Sequence, residues 1–254
     1  MRSLRIEELR WPEIQSAIEN GFDTVVFGVG STEQHGPHLP LASDTLMGEW
    51  LADAVARKSG KTLVAPAIRV GCSQHHLAFA GTISIEHQTM KDVLTSCVRT
   101  VLKHGFRRVV IIPSHGGNFE IVGETVNELR LSLPDKEIVS FCNLNLLLAA
   151  SHKLSAENGI SAGVSGAHAG EFETSILLFL RPDLVNMDAA AEGFTGDIRP
   201  LVPDLFKNGL KAVTANGILG DGRPGDAKRG EKYLQAWLDL ILADIESHAS
   251  AAVP

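Results

Sequence analysis

Short apolar, β-branched runs alternate along this chain with longer stretches whose apolar residues recur every three or four positions. Asp23–Val29 (DTVVFGV), Lys61–Pro66 (KTLVAP), Arg107–Pro113 (RRVVIIP) and Glu137–Cys142 (EIVSFC) are of the first kind. Almost continuous apolar character in so short a run marks a strand covered on both faces, as in a parallel sheet. The second kind predicts helices over Trp11–Asn20, Asp44–Lys58, Thr89–His104, Phe119–Leu131, Ala169–Leu180 and Gly230–Ser247. Gly21 and Gly105 stop the first and third of these, and the fifth ends before Pro182. Thr82–Ile85 reads as a short edge strand, and 183–228, rich in Gly, Pro and Asp, as long surface loops. The strand–helix alternation predicts an α/β protein, a single three-layer α/β/α domain over 1–254 with a mostly parallel sheet.

Composition narrows this picture little. A chain of 254 residues with 44% hydrophobic and 21% charged residues suits one globular α/β domain. The net charge of −7 argues against nucleic-acid binding, which needs a basic face. No apolar run approaches the ~20 residues that span a bilayer. The longest, Ile138–Ala150, is broken by Ser140, Asn143 and Asn145. Met1–Arg10 is charged and lacks the apolar core of a signal peptide. Cys72, Cys97 and Cys142 are far apart and form no CxxC, so they read as ordinary buried thiols. These features fit a cytoplasmic location.

Three segments carry chemistry. In GSTEQHGPHLP (30–40), Glu33 and His35 stand at i and i+2 of an extended stretch and so share a side. Asp44 follows closely; its plain alternative is a helix N-cap. Carboxylate plus imidazole suits Zn, Mn or Fe(II) better than Ca or an all-sulfur site. In SHGGN (114–118), His115 leaves a buried strand, and Gly116 and Gly117 let backbone N–H groups approach a ligand or an oxyanion. Asn118 has the ordinary role of capping the next helix. In AHAGEFETS (167–175), His168 and Glu171 are three apart and would share a helical face, leaving Glu173 to point elsewhere. Glu171 is therefore the expected ligand from this segment. In the glycine-bounded loop 71–81, Ser73 and His76 are placed to touch a substrate. His87, His104, His152 and His248 read as solvated surface histidines.

Together with GCSQHH and FAGTIS (71–76 and 79–84) and GILGDGRPGDAKRGEKY (217–233), these segments resemble the creatininase family, in order along nearly the whole chain. The resemblance implies the family fold and a hydrolase with two divalent ions per chain. It places Glu33 on one metal, His35 on the other and Asp44 between them. It adds His115 to the Glu33 metal and makes His168 the acid/base residue. In creatininase itself a further carboxylate ligand lies just after the histidine matching His115, where this chain has Gly117. Glu171 is the expected substitute, with Glu120 and Glu173 as alternatives. The tryptophans that hold creatinine in that enzyme have no counterpart, since Trp11, Trp50 and Trp237 lie elsewhere. The resemblance also implies a homo-oligomer, a hexamer being frequent among relatives, acting on a small molecule.

The expected reaction is hydrolysis of a non-peptide C–N bond, in a small cyclic amide or formamide, through a metal-bridging hydroxide. A lactonase or ring-opening hydrolase acting on C–O or C–C bonds is the alternative. A thiol hydrolase built on Cys72 with His75 or His76 is a third reading, and would survive chelators. A binding module that keeps the fold without activity is the fourth.

Overall fold

The strands β1 (Thr24–Val29), β2 (Thr62–Val64), β3 (Arg108–Pro113) and β4 (Glu137–Ser140) pair in parallel, in the order β2-β1-β3-β4. These are the strands of the computed structural model, which describes residues 2–251. Their near-continuous apolar character has the expected cause: alternate residues enter two separate cores. Val26, Val110 and Val139 face one side. There they meet α2 (Ser43–Ser59), α5 (Leu144–Glu157), α7 (Glu171–Leu180) and α9 (Ala227–Ala251) through residues such as Leu51, Leu147, Ile176 and Trp237. Val25, Phe27, Val109, Ile111 and Ile138 face the other side. They pack on α1 (Trp11–Glu19), α3 (His87–Lys103) and α4 (Phe119–Ser132) through Ala17, Leu94, Val98, Ile121 and Val126. Each fully buried Val, Leu or Ile contributes roughly 1.5–3 kcal/mol of transfer free energy, so both faces of the sheet are driven to be covered. The result is the expected three-layer α/β arrangement.

The strand order fixes where a ligand site can form. From β1 the chain crosses by α2 to β2 on one side; from β3 it crosses by α4 to β4 on the other. A crevice opens outside the carboxyl ends of strands where such connections diverge. Val29 and Pro113, the last residues of β1 and β3, are register partners. The loops beginning at Gly30 and Ser114 therefore start side by side.

Several elements differ from the sequence reading. Thr82–Ile85 is not a strand of the sheet: Ile83 and Ser84 make only isolated bridges, to Thr32 and Gly71. α5 begins inside the apolar run 138–150 and continues to Glu157, and its start is marked by Asn143, whose side chain accepts from the Leu146 N–H; the single turn α6 (Ala162–Ser165) follows it, where periodicity predicts no helix. Segment 183–228 contains α8 (Val202–Asn208), and Ile218, Leu219 and Asp221 in it are buried rather than surface-exposed. His152 is half-buried and donates to the Gly166 carbonyl at 2.8 Å. No described helix is long and apolar enough to cross a membrane.

Candidate active site and metal centre

The loop after β1 is tied down residue by residue. Glu33 N–H donates to Leu41 O at 2.9 Å, closing the loop on itself. Asn118 stands at the N-cap position of α4, as expected, but its side chain makes no capping hydrogen bond. Its amide nitrogen instead donates to Gly30 O at 2.9 Å, and its oxygen accepts from Cys72 N–H at 3.0 Å. This buried side chain joins three segments of the site, a role that proximity in sequence did not reveal. Asp44 sits in the first turn of α2 without a capping hydrogen bond. Its carboxylate is turned to the loop, accepting from Ser31 Oγ at 2.6 Å.

Glu33, His35, Asp44 and His115 converge, all buried. His115 Nδ1 lies 3.2 Å from Glu33 Oε2 and 3.1 Å from Asp44 Oδ2. His35 Nε2 lies 3.3 Å from Asp44 Oδ1. The far nitrogens are fixed by acceptors: His35 Nδ1 donates to Glu33 O at 3.1 Å, and His115 Nε2 donates to Cys72 O at 3.2 Å. A ring nitrogen that donates outward leaves the other free to ligate. His35 Nε2 and His115 Nδ1, the nitrogens facing the carboxylates, are thus the ones free to hold an ion.

The third segment corrects the expectation for Glu171. α7 begins at Glu171, and Ala169 has φ of 52°, so His168 lies before the helix and shares no helical face with Glu171. Glu171 points away into a separate buried network. Its Oε1 accepts from Arg229 Nε and Ser175 Oγ, both at 2.8 Å, and its Oε2 accepts from Tyr233 OH at 2.8 Å. Glu173, at the third helical position, reaches back to accept from Ala169 N–H. There its carboxylate gathers with His35 and His168 within ligand-sharing distance. The sequence cue was Gly170, an acceptable N-cap that moves the helix start past His168. Glu120 is exposed on α4.

The remaining candidates surround this cluster. His76 Nε2 is 3.4 Å and His168 Nδ1 3.8 Å from Glu33 Oε1. The His35 and His168 rings are 4.3 Å apart, and those of His76 and His168 4.6 Å. Ser73 is buried behind His115, with its Oγ 3.3 Å from Nε2, and so braces the ring. Gly116 is exposed and Gly117 half-buried beside His115. His75 stacks on His115 at 5.9 Å and meets the exposed Phe206 of α8 at 4.9 Å. Cys72 turns its side chain into the core beneath the sheet, where burial pushes the thiol pKa up. That is the opposite of what a nucleophilic thiol requires.

Charge in the cluster shows what it is built to hold. Burial opposes charge on His35, yet the Asp44 carboxylate overrides it and lifts the imidazole to about 10. Burial likewise opposes charge on His115, and Glu33 and Asp44 raise it. Burial pushes Glu173 up to about 7, with Asp44 and Glu33 adding to the rise and His35 opposing it. Burial, then the neighbouring His35 charge, pushes His168 down to about 3. The carboxylates thus draw positive charge onto the two ring nitrogens that face them. Both oxygens of Glu33 are fully buried and accept no well-aligned hydrogen bond. A buried carboxylate left this way is costly unless a cation completes it. Oxygen and imidazole donors together fit a divalent transition ion.

Comparison with known proteins agrees. The creatininase family model (creatinine amidohydrolase) matches residues 7–245. The chain is 34% identical over 238 residues to a mycofactocin precursor peptide peptidase of Mycobacterium ulcerans (strain Agy99), covering 91% of this chain and 87% of that protein. It is 27% identical over 252 residues to the creatinine amidohydrolase of Pseudomonas putida, covering 94% and 95%. Among solved structures, a creatininase mutant of the Zn–Zn type superposes with a TM-score of 0.76 at 26% identity, over 94% of this chain and 95% of that one. With this match running through every segment that builds the buried Glu33 cluster, the chain belongs to the creatininase family of metal-dependent hydrolases.

Proposed function

We propose that this protein hydrolyses an amide C–N bond with two divalent ions held by Glu33, His35, Asp44, His115 and Glu173. The observation that carries this reading is Glu33: both its oxygens are buried without an aligned donor, ringed by His35, His76, His115 and His168. Glu33, His35 and Asp44 bring ligand atoms close enough to share one ion, and so do His35 and Glu173, with His168 beside them. Divalent ions held there would supply Lewis acidity and bring the pKa of a water toward neutrality.

The chain's own groups do the rest. His168 Nδ1, beside Glu33, accepts the proton lost by the attacking water as the C–O bond forms. It returns that proton to the nitrogen as the C–N bond breaks, because an amine leaves poorly without one. Backbone N–H groups at Gly116 or Gly117, in the loop that carries His115, would meet the carbonyl oxygen.

For the substrate, the peptide-cleaving relatives, of which the Mycobacterium ulcerans protein is 34% identical, favour an amide in a short peptide. The likeness to creatinine amidohydrolase favours a second reading, a small cyclic amide or formamide. No indole walls a planar ring here: Trp11 is exposed at 75%, Trp50 of α2 packs against the core, and Trp237 is buried in it, donating to Ser151. The test is a panel of short peptides, cyclic amides, formamides, creatinine and lactones with Zn- or Mn-loaded protein. Peptide or amide turnover lost on chelation is expected, with negligible creatinine turnover. Turnover of lactones alone, or turnover that survives chelation, overturns the reading.

A further inference from the structure

Two buried histidines flank Glu33 Oε1, and one glutamine side chain stands between them. Gln34 Oε1 is 2.9 Å from Gly36 N, and Gln34 Nε2 is 3.1 Å from Gly217 O. A backbone N–H only donates and a backbone carbonyl only accepts, so these two contacts fix which end of the amide is which. Gly217 has φ of 80°, and a Cβ there would collide with the Gln34 side chain, so the glycine is needed for this approach. Gln34 Nε2 also lies 3.0 Å from His76 Nδ1. An amide nitrogen can only donate, so Nδ1 of His76 is the bare nitrogen and Nε2 carries the hydrogen. That N–H points to Glu33 Oε1 at 3.4 Å without forming an aligned hydrogen bond.

His168 is fixed by the same residue through a different atom. Its Nε2 lies 2.8 Å from the Gln34 backbone carbonyl and must therefore donate, so its 3.0 Å approach to Gln34 Nε2 sets two donors side by side and is no hydrogen bond; the two amide hydrogens go to Gly217 O and His76 Nδ1. Its Nδ1, 3.8 Å from Glu33 Oε1, is left bare. The two imidazoles hold the same tautomer but turn opposite atoms toward the same spot.

We propose that Gln34 is a positioning residue that makes His76 present an N–H, and His168 a lone pair, to the group reacting beside Glu33. His76 is then a catalytic hydrogen-bond donor to the substrate carbonyl or its leaving nitrogen, while His168 takes and returns the proton. This assignment rests on the hydrolytic reading of the site, but the tautomers can be measured without any substrate.

The experiment is long-range 1H–15N correlation of ring-labelled histidines in the zinc-loaded protein. Wild type should show His76 and His168 both protonated at Nε2. Gln34→Leu removes the side-chain donor and keeps the backbone carbonyl. His76 should then lose its fixed tautomer while His168 keeps its own, a split that general loosening of the loop would not produce. His76 protonated at Nδ1 in wild type overturns the proposal, as does an unchanged His76 in a folded Gln34→Leu protein. If Gln34→Leu does not fold, the wild-type spectrum and two His76 variants decide. On the amide that the substrate panel identifies, His76→Gln, whose amide nitrogen reaches the Nε2 position, should stay within about 10-fold of wild type. His76→Asn, which places its nitrogen at Nδ1, should lose on the order of 10²-fold in turnover, the usual cost of a missing transition-state donor. The reverse ranking overturns the assignment. Failure of the whole panel with the expected tautomers intact faults the hydrolytic reading and leaves the Gln34 geometry standing.

Discussion

Glu171→Gln and Glu173→Gln, two residues apart, should fail in opposite ways. Glu171 is completely buried, and its carboxylate takes donors from Arg229, Ser175 and Tyr233. An amide keeps one acceptor oxygen. Its nitrogen can turn toward Tyr233, whose hydroxyl can accept. What is lost is the charge facing Arg229. Breaking a buried pair by removing one partner costs about 3–5 kcal/mol. The Arg229 side chain is 20% exposed, so water recovers part of that, leaving about 2–4 kcal/mol. For a chain of this length, roughly 2–4 °C of Tm per kcal/mol gives a fall of about 5–15 °C. Metal content should be unchanged. Glu173→Gln should do the reverse. Burial and the Glu33 and Asp44 charges already disfavour its carboxylate when no cation is present. The metal-free protein should therefore keep or slightly raise its Tm. The ion shared with His35 should be lost, since even supporting residues cost about 10–100-fold in affinity. Calorimetry in chelator and elemental analysis after dialysis read both variants. A Glu171→Gln protein depleted of metal at wild-type Tm, or a Glu173→Gln protein with full metal, would refute the separation of the two networks.

Asp44 contacts both His35 and His115, so Asp44→Asn should retain the fold and lose at least one ion per chain by elemental analysis. Full occupancy would exclude a bridging role. His168→Ala should keep its metal and lose about 10²–10⁴-fold in turnover, as removal of a general acid–base group does; arrival without metal would make His168 a ligand, alongside Glu173. A Cβ at position 117 would collide with Cys72 O and come within 2.6 Å of His115 Nε2. Gly117→Ala should therefore cost about 1–3 kcal/mol, as overpacking does, and weaken metal binding, measured by denaturant unfolding and zinc titration. An unchanged midpoint and affinity would show that the loop gives way.

The strands, the layer order and the loops that hold chemistry were legible in the sequence, because each depends on neighbours close along the chain. Val25 to Val29 is apolar throughout since both faces are covered. Glu33 and His35 stand out because a carboxylate and an imidazole two residues apart in a glycine- and proline-bounded loop have few uses other than holding an ion. The family motifs pointed to His115 and His168, and the fold sets both beside Glu33. Choosing between Glu171 and Glu173 was different. It turned on where α7 begins, and a positive φ at Ala169 set that start beyond the reach of periodicity. Arg229 and Tyr233, about sixty residues away on α9, then claimed Glu171. Asn118 and Gln34 were equally opaque, since a side-chain amide has no pattern of its own. Their roles come from backbone groups of Gly30, Cys72, Gly36 and Gly217, which only the folded chain gathers around them.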